Sequence, residues 1–362
     1  MRALRSSLIL LALLGVARSE AQTAATNPLV ERFFTDPALG ETRALIVMHD
    51  GVRVADRYGR GYGKANRFIS WSMAKSVTAT LVGQLIGESR LKLDAPAPVP
   101  AWHRDPADPR GKITLAMLLH MSSGLQHTEV GDQVENSDTN RALFTDRSGD
   151  IAAAAADMPL EAPPGTKYSY SSVTTVILAD IVQRTVSPKA RTPDERRAAM
   201  RAYMVEHLLR PAGLPSLLCE FDGAGTMIGG SFCHAAASDW ARFGQMYLDN
   251  GMVGGKQVVP ASWVEYAHTP APADGGYGAH FWLNRPRPKG SEAALFPEAG
   301  PADAYSAIGH LGQYVLIVPS KHLVVVRLGK TQDSDLAPVR AALGRLVNSF
   351  PDEPPPSPTS AK

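Results

Sequence analysis

The chain has 362 residues, of which 44% are hydrophobic and 20% charged, a composition typical of folded globular proteins and not of collagens, coiled coils or disordered chains. It contains 37 Lys and Arg against 35 Asp and Glu, so no excess of positive charge indicates a nucleic-acid partner or a polybasic membrane surface. Two cysteines exclude a disulfide-rich scaffold and a cysteine-rich zinc module.

The first 21 residues have the pattern of a secretory signal peptide. Two arginines precede an apolar run over residues 8–17, and small residues follow at Ser19 and Ala21, so cleavage is expected after one of these two. The apolar run is shorter than the roughly 20 residues that span a bilayer. We therefore predict that residues 1–21 are a signal peptide, that the mature protein is periplasmic or secreted, and that no stable membrane span is left after cleavage.

An exported protein folds in a compartment where disulfides form. Cys219 and Cys233 flank a turn-like segment, Asp222-Gly223-Ala224-Gly225, as expected for two strands bridged near a hairpin. We predict a disulfide between them, with two separate buried thiols as the alternative.

The spacing of apolar residues and the turn-forming residues predict the secondary structure. Residues 44–58 predict a β-hairpin around Asp50-Gly51. Apolar residues at helical spacing predict a buried helix over residues 72–87, and the polar segment 127–150 predicts a long surface loop. A further helix is predicted to start over residues 113–119 and to end near Gly124. Other helices are predicted over residues 174–185, 188–209 and 238–249, and a second hairpin over residues 314–328.

Strands therefore lie near both ends of the chain and helices dominate its middle. This order predicts an α+β fold in which an antiparallel sheet of N- and C-terminal strands is flanked by helices. We predict one domain over residues 22–350, with a mostly helical second lobe within about residues 76–300, and a site in the cleft between the lobes. The Pro/Ser-rich residues 351–362 predict a disordered tail.

Ser72 and Lys75 open the predicted buried helix. Residues three apart lie on one helical face, so the hydroxyl and the amine point the same way. The helix dipole disfavours a cation in the first turn, and this field together with partial burial would lower the pKa of the amine, as a general base for serine requires. The alternative is that Ser72 is only an N-cap and Lys75 a solvated side chain.

Two later segments hold further candidate residues. Segment 164–172 contains Tyr168 and Tyr170. A tyrosine held near a lysine ammonium can have a lowered phenol pKa and transfer a proton; aromatic packing is the alternative. We place segment 309–313 on a late strand. Its glycines would let a substrate carbonyl approach the backbone N–H of Gln313. The alternative is that His310 has only a structural role.

Taken together, three motifs resemble the serine β-lactamase/penicillin-recognising superfamily, specifically its class C β-lactamase-like branch. They are Ser-x-x-Lys at residues 72–75, Pro-Gly-x-x-x-x-Tyr-Ser-x at residues 164–172 and His-x-Gly at residues 310–312, in that order. The resemblance covers about residues 40–348. Within the branch, Ser-Trp-Ser-Met-Ala-Lys and Tyr-Ser-Ser look nearest to the nylon-oligomer (6-aminohexanoate-dimer) hydrolases and related esterases.

The resemblance implies specific roles in an acyl-transfer reaction. Ser72 would be the nucleophile, Lys75 its activating partner and Tyr170 the proton shuttle, ahead of Tyr168. The backbone N–H groups of Ser72 and Gln313 would form the oxyanion hole. The positions that would bind substrate are Ser172, His310 and Gly312.

Two residues depart from the pattern of β-lactamases and peptidases. Ser172 replaces their usual Asn, and His310 replaces the Lys that binds a substrate carboxylate. Both departures weaken the case for a β-lactam or D-Ala-D-Ala substrate but leave the acyl-transfer residues intact. The sequence therefore predicts an exported serine hydrolase acting on a small-molecule amide, ester or lactam, with no cofactor, no metal and no nucleic-acid partner.

Three alternatives stay open at this stage. The first is a β-lactamase or D-Ala-D-Ala carboxypeptidase. The second is a non-catalytic relative that binds cell-wall or β-lactam-like ligands, because a fold does not dictate chemistry. The third is a structural or partner-binding protein whose motifs are coincidental. We expect the acyl and leaving groups to depend on the 127–150 segment and on residues such as Trp282 or Tyr305.

Overall fold

A computed structural model describes residues 27–352, except residues 132, 146, 147, 289 and 290 and the side chain of Val134. The predicted signal peptide and the predicted tail beyond Asp352 lie outside the described residues. Within this range, no helix combines the length and the apolar character needed to cross a membrane.

The strands come from both ends of the described chain. They are β1 (Glu41–His49), β2 (Val52–Tyr58), β3 (Arg67–Ile69), β4 (Leu218–Cys219), β5 (Cys233–Ala236), β6 (Met252–Val253), β7 (Lys256–Gln257), β8 (Trp282–Leu283), β9 (Tyr305–Gly309), β10 (Gln313–Val318) and β11 (Leu323–Lys330). A six-stranded antiparallel sheet has the order β2-β1-β11-β10-β9-β8, and smaller sheets have the orders β3-β5-β4 and β6-β7. The predicted sheet of N- and C-terminal strands is confirmed.

Helices flank this sheet on both faces. The α-helices of the described residues are α1 (Pro28–Thr35), α2 (Ala74–Gly87), α3 (Leu115–Leu119), α4 (Asp138–Phe144), α5 (Ile151–Ala156), α6 (Ser172–Val186), α7 (Pro193–Met204), α8 (Ala237–Leu248), α9 (Ala261–Ala267) and α10 (Leu336–Asn348). Helices α1 and α10 pack together on one face, and α8 packs on the other face against β1, β10 and β11.

The central strands are buried on both faces because of this layering. In β1, Ala44 and Ile46 belong to the core on the α8 side, whereas Leu45 and Val47 belong to the core on the α1 and α10 side. Successive strand residues point to opposite faces, so a strand covered on both sides is a continuous apolar run. This explains the uninterrupted apolar sequence of β1.

The predictions for two segments need correction. Residues 127–150 are not only loop, because they contain α4, whose N-cap Ser137 accepts a hydrogen bond from the helix backbone. The helix expected from residue 188 begins only at Pro193, where Thr192 and Glu195 form a capping box. In both segments a local cap sets the boundary more strongly than composition does.

A small sheet supports the segment that leads into Ser72. Cys219 and Cys233 lie opposite each other on β4 and β5 and are joined by a disulfide. Strand β5 also pairs with β3, which ends two residues before Trp71. The bridged strands thus form a rigid support behind the candidate nucleophile.

Candidate active site

A strained turn presents Ser72. The backbone N–H of Ser70 donates to the carbonyl of Cys233 at 2.7 Å, and the N–H of Cys233 donates back to the Ser70 hydroxyl at 3.1 Å. Trp71 follows with φ +45°, a left-handed conformation that is costly for a bulky residue. A Cβ at Gly309 would collide with the Ser70 carbonyl, so only glycine lets β9 approach this turn.

Lys75 lies behind Ser72 on the first turn of α2. Its Nζ donates to the Ser72 hydroxyl at 2.9 Å, to the Ser172 hydroxyl at 2.7 Å and to the Gly230 carbonyl at 2.8 Å. The residue is only 1% exposed. All three ammonium protons therefore have acceptors, and one of those acceptors is the candidate nucleophile.

Burial changes the acid–base chemistry of this amine. Loss of hydration lowers the pKa of Lys75 to about 8, opposed by the negative charge of Glu129. A usable fraction of the amine is therefore neutral in mildly alkaline solution and can accept a proton. Partial burial was predicted, and the structure shows complete burial.

The structural alternative for the first motif is wrong. The N-cap of α2 is Met73, which makes no side-chain cap, so Ser72 does not cap this helix. Lys75 is buried instead of solvated.

Tyr170 forms one side of the same site. Its ring stacks in a tilted arrangement on Trp282, with centroids 5.3 Å apart, and the Lys75 Nζ lies 4.7 Å from its ring centroid. Burial, followed by the charge of Glu129, raises the pKa of Tyr170, and a hydrogen bond with Ser72 opposes this only in part. The predicted lowering of the phenol pKa is therefore wrong. Tyr170 therefore keeps its proton near neutral pH.

Tyr168, the weaker sequence candidate, is placed differently. Its ring packs against Tyr277 with centroids 5.5 Å apart and beneath the guanidinium of Arg287 at 5.4 Å. These contacts are the aromatic packing that the alternative interpretation expected for this motif. They favour Tyr170 for the candidate proton shuttle.

Glu129 is a site residue that sequence reasoning missed. Its carboxylate accepts hydrogen bonds of 2.6 Å from the backbone N–H of Ser172, from the Ser172 hydroxyl and from the Thr139 hydroxyl. A negative charge is favourable there because Ser172 begins α6. The Ser172 hydroxyl thus accepts from Lys75 and donates to Glu129, and links the two charges. No motif marks Glu129, which lies in a segment predicted as surface loop.

The His-x-Gly motif forms the turn between β9 and β10. The prediction that it lies on a strand is therefore wrong. Leu311 and Gly312 both have left-handed backbones, with φ +62° and φ +79°. The buried side-chain amide of Gln313 donates to the His310 carbonyl at 3.0 Å. The buried guanidinium of Arg327 donates to the Gly312 carbonyl at 2.7 Å. The turn is therefore fixed from behind, with His310 directed to the cavity side.

A cavity of about 640 Å³ lies between the residues described above. Ser72, Tyr170, Ser172 and His310 all line it, as do Gly309 and Trp282. Tyr305, proposed as a specificity residue together with Trp282, is instead buried on β9 against Phe281. The oxyanion hole formed by the backbone N–H groups of Ser72 and Gln313 stays a prediction. The large apolar parts of the lining are Trp71, Leu143, Phe144, Trp282, Ile308 and Leu336.

Known proteins share this sequence pattern and fold. The chain is 28% identical over 306 residues to a 6-aminohexanoate-dimer hydrolase of Paenarthrobacter ureafaciens, covering 81% of this chain and 74% of that relative. A candidate 6-aminohexanoate-dimer hydrolase of Bacillus anthracis has a similar structure, with a TM-score of 0.65, 22% identity and coverage of 86% of this chain and 81% of that one. A family VIII carboxylesterase gives a TM-score of 0.64 at 15% identity, covering 89% and 95%.

These two structures support the fold. Residues 40–349 match the family described as Beta-lactamase, which confirms the resemblance drawn from the three motifs. The chain therefore belongs to the β-lactamase family of serine hydrolases.

Proposed function

We propose that the protein is an exported serine hydrolase of the class C-like branch that cleaves small amides or esters through an acyl-enzyme on Ser72. The observation that carries the proposal is the 2.9 Å contact between the Lys75 Nζ and the Ser72 hydroxyl in a fully buried setting that lowers the pKa of the amine to about 8. A weak hydroxyl nucleophile needs such an adjacent base.

The reaction begins when the Ser72 Oγ attacks the substrate carbonyl and the neutral Lys75 amine takes its proton. The backbone N–H groups of Ser72 and Gln313 hold the developing oxyanion. Tyr170 gives its proton to the leaving amine or alcohol, and the Lys75 ammonium reprotonates Tyr170. A water molecule then attacks the acyl-enzyme, Lys75 accepts its proton, and Ser72 is released with its proton restored.

The relatives support the substrate class. One is a 6-aminohexanoate-dimer hydrolase and one neighbour is a carboxylesterase, which are an amidase and an esterase by name. The largely apolar cavity fits small acyl groups. A β-lactamase or D-Ala-D-Ala carboxypeptidase is the second candidate, favoured by the family match but weakened by Ser172 and His310 in place of the usual Asn and Lys.

Export is part of the proposal and rests on two observations. The sequence of residues 1–21 has the charged, apolar and small-residue regions of a signal peptide. The Cys219–Cys233 disulfide suits an oxidising compartment such as the periplasm or the extracellular medium.

Turnover of a p-nitrophenyl ester by the mature protein, compared with Ser72→Ala, tests the proposal. We expect repeated turnover by the wild type and a loss of at least about 10³-fold in the variant, with an unchanged melting temperature. Parallel assays with aminohexanoate dimer, a D-Ala-D-Ala peptide and nitrocefin rank the substrate classes. A single stoichiometric burst would instead support the non-catalytic binder, and wild-type turnover in Ser72→Ala would rule out this site.

A further inference from the structure

The charges around the cavity show which substrate groups it can accept. Among its described lining residues, the two basic side chains, His310 and Arg340, each contact a carboxylate. His310 Nδ1 lies 2.6 Å from Asp333 Oδ2, and Arg340 Nη2 lies 2.9 Å from Glu292 Oε2. Behind the lining, Lys75 has no free proton to donate. A substrate carboxylate would therefore meet no unpaired cation here.

Asp333 presents a carboxylate of the chain itself beside His310. One oxygen accepts from the backbone N–H of Leu311 at 3.0 Å, and the other meets the His310 ring nitrogen. The left-handed turn at Leu311 and Gly312 thus places a backbone N–H and the ring nitrogen Nδ1 on the same carboxylate. Both donors are occupied by a carboxylate of the chain itself.

We propose that Asp333 is a specificity-determining residue that fills the carboxylate position beside His310, so that the site takes acyl groups without a negative charge. This inference rests on the proposed function. Asp333 lines the same cavity as Ser72. Its carboxylate already takes the ring nitrogen of His310 and the backbone N–H of Leu311, the two polar groups that a substrate carboxylate would need there.

The rest of the cavity fits the same substrate class. Glu129 is a second carboxylate in the lining and adds to the repulsion of anions. Trp71 packs edge-on against the His310 ring, with centroids 5.2 Å apart, and Ile308 and Leu336 lie nearby in the lining. The expected substrates are esters or amides whose acyl group carries no negative charge.

A pair of matched substrates tests the proposal. The p-nitrophenyl esters of butyrate and of succinate are similar in acyl length, but the second carries a free carboxylate. We expect the wild type to prefer the butyrate ester. Asp333→Asn and Asp333→Ala should raise the kcat/KM ratio of succinyl to butyryl ester about threefold to fivefold, the effect of one partly exposed ion pair.

Asp335→Asn is the control because it removes the same charge from an exposed residue two positions away that is not part of the cavity lining. Its substrate ratio should equal that of the wild type. An unchanged ratio in both Asp333 variants, or an equal change in Asp335→Asn, would overturn the inference.

The test also separates this inference from the proposed function. Absence of Ser72-dependent turnover of the butyrate ester by the wild type would contradict the proposed function alone. In that case the affinity of each protein for benzoate, measured by calorimetry, still tests Asp333. We expect tighter binding in Asp333→Asn than in the wild type and Asp335→Asn, and equal affinities in all three would refute the role of Asp333.

Discussion

Lys75, just behind the cavity lining, and Phe144, at the cavity mouth, differ in burial, polarity and hydrogen bonding. We define the floor as Ser72, Lys75, Tyr170 and Ser172, and the rim as Val130, Leu143 and Phe144. Lys75 is 1% exposed and has three hydrogen-bond acceptors, whereas Phe144 is 60% and Val130 84% exposed. A buried polar network is held in one arrangement because every unpaired group would be costly, while exposed apolar side chains can be exchanged at little cost.

We infer from this difference that the floor and the rim have separate roles. The floor would supply the acyl-transfer chemistry, and the rim together with Asp333 would select the substrate. Exposed large apolar side chains beside a cavity are the kind of surface that a ligand covers. Substitutions in the two regions should therefore change different kinetic constants.

The largest effect is expected for Lys75→Met, which keeps the volume but removes the base. We expect kcat to fall about 10²–10⁴-fold, because the Ser72 proton loses its acceptor. Ester hydrolysis under saturating substrate measures this. Lys321→Met is the matched control: Lys321 is also buried and bonds Asp352 at 2.7 Å, but it does not line the cavity, so stability should fall and kcat should hold. Equal kcat values for Lys75→Met and the wild type would contradict the proposed base.

The same variant has a second readout in stability. The folded-state pKa of Lys75, about 8, lies below its ordinary value of 10.5, so the unfolded chain binds more protons between these values. The Lys75 contribution therefore makes stability rise with pH across that window. Urea unfolding should show this rise in the wild type relative to Lys75→Met, and a parallel pH dependence would show that Lys75 titrates normally.

A smaller effect is expected for Glu129→Gln. The Glu129 charge favours the ammonium form of Lys75, so its removal should lower the pKa of Lys75 further. Two other buried titratable groups that interact with Lys75 or Glu129 stay neutral, because burial lowers the pKa of His280 to about 3 and raises that of Tyr170. The acidic limb of the kcat–pH profile should therefore move to lower pH.

Glu135→Gln provides the control for this shift. Glu135 is an exposed carboxylate of the same segment that does not line the cavity. Its profile should overlay that of the wild type. An acidic limb that moves to higher pH in Glu129→Gln would show that Glu129 does not act through the charge of Lys75.

The smallest effect is expected for Phe144→Ala at the rim. Its ring contacts Phe232, with centroids 5.8 Å apart, and lines the cavity. Loss of a partly covered apolar surface should raise KM for hexanoyl esters about twofold to fivefold, with kcat and stability unchanged. Acetyl esters, whose acyl group is four carbons shorter, should show a smaller change. A fall in kcat for both esters would mean that the rim also orders the floor.

The sequence predicted the floor better than the rim for physical reasons. Ser72 and Lys75 are three residues apart in one helical turn, so local geometry alone brings them together. Likewise, the Asp50-Gly51 turn and the apolar runs of β1 and β11 follow from short-range rules.

Long-range contacts were not predictable in this way. Glu129 meets Ser172, and Asp333 meets His310, only because loops distant in sequence converge in the fold. The phenol pKa of Tyr170 was predicted with the wrong sign because its burial, which dominates the shift, cannot be seen from a neighbouring lysine in the sequence.

Strand β1 pairs with β11, so Glu41 lies opposite Lys330, and the turn before Ser72 packs against β9 where the Ser70 carbonyl meets Gly309. The turn that presents Ser72 thus depends on strands that are far from it in sequence. The cavity cannot form before those strands have folded, and contacts between distant residues form slowly. Activity should therefore appear only after β9, β10 and β11 have joined the sheet.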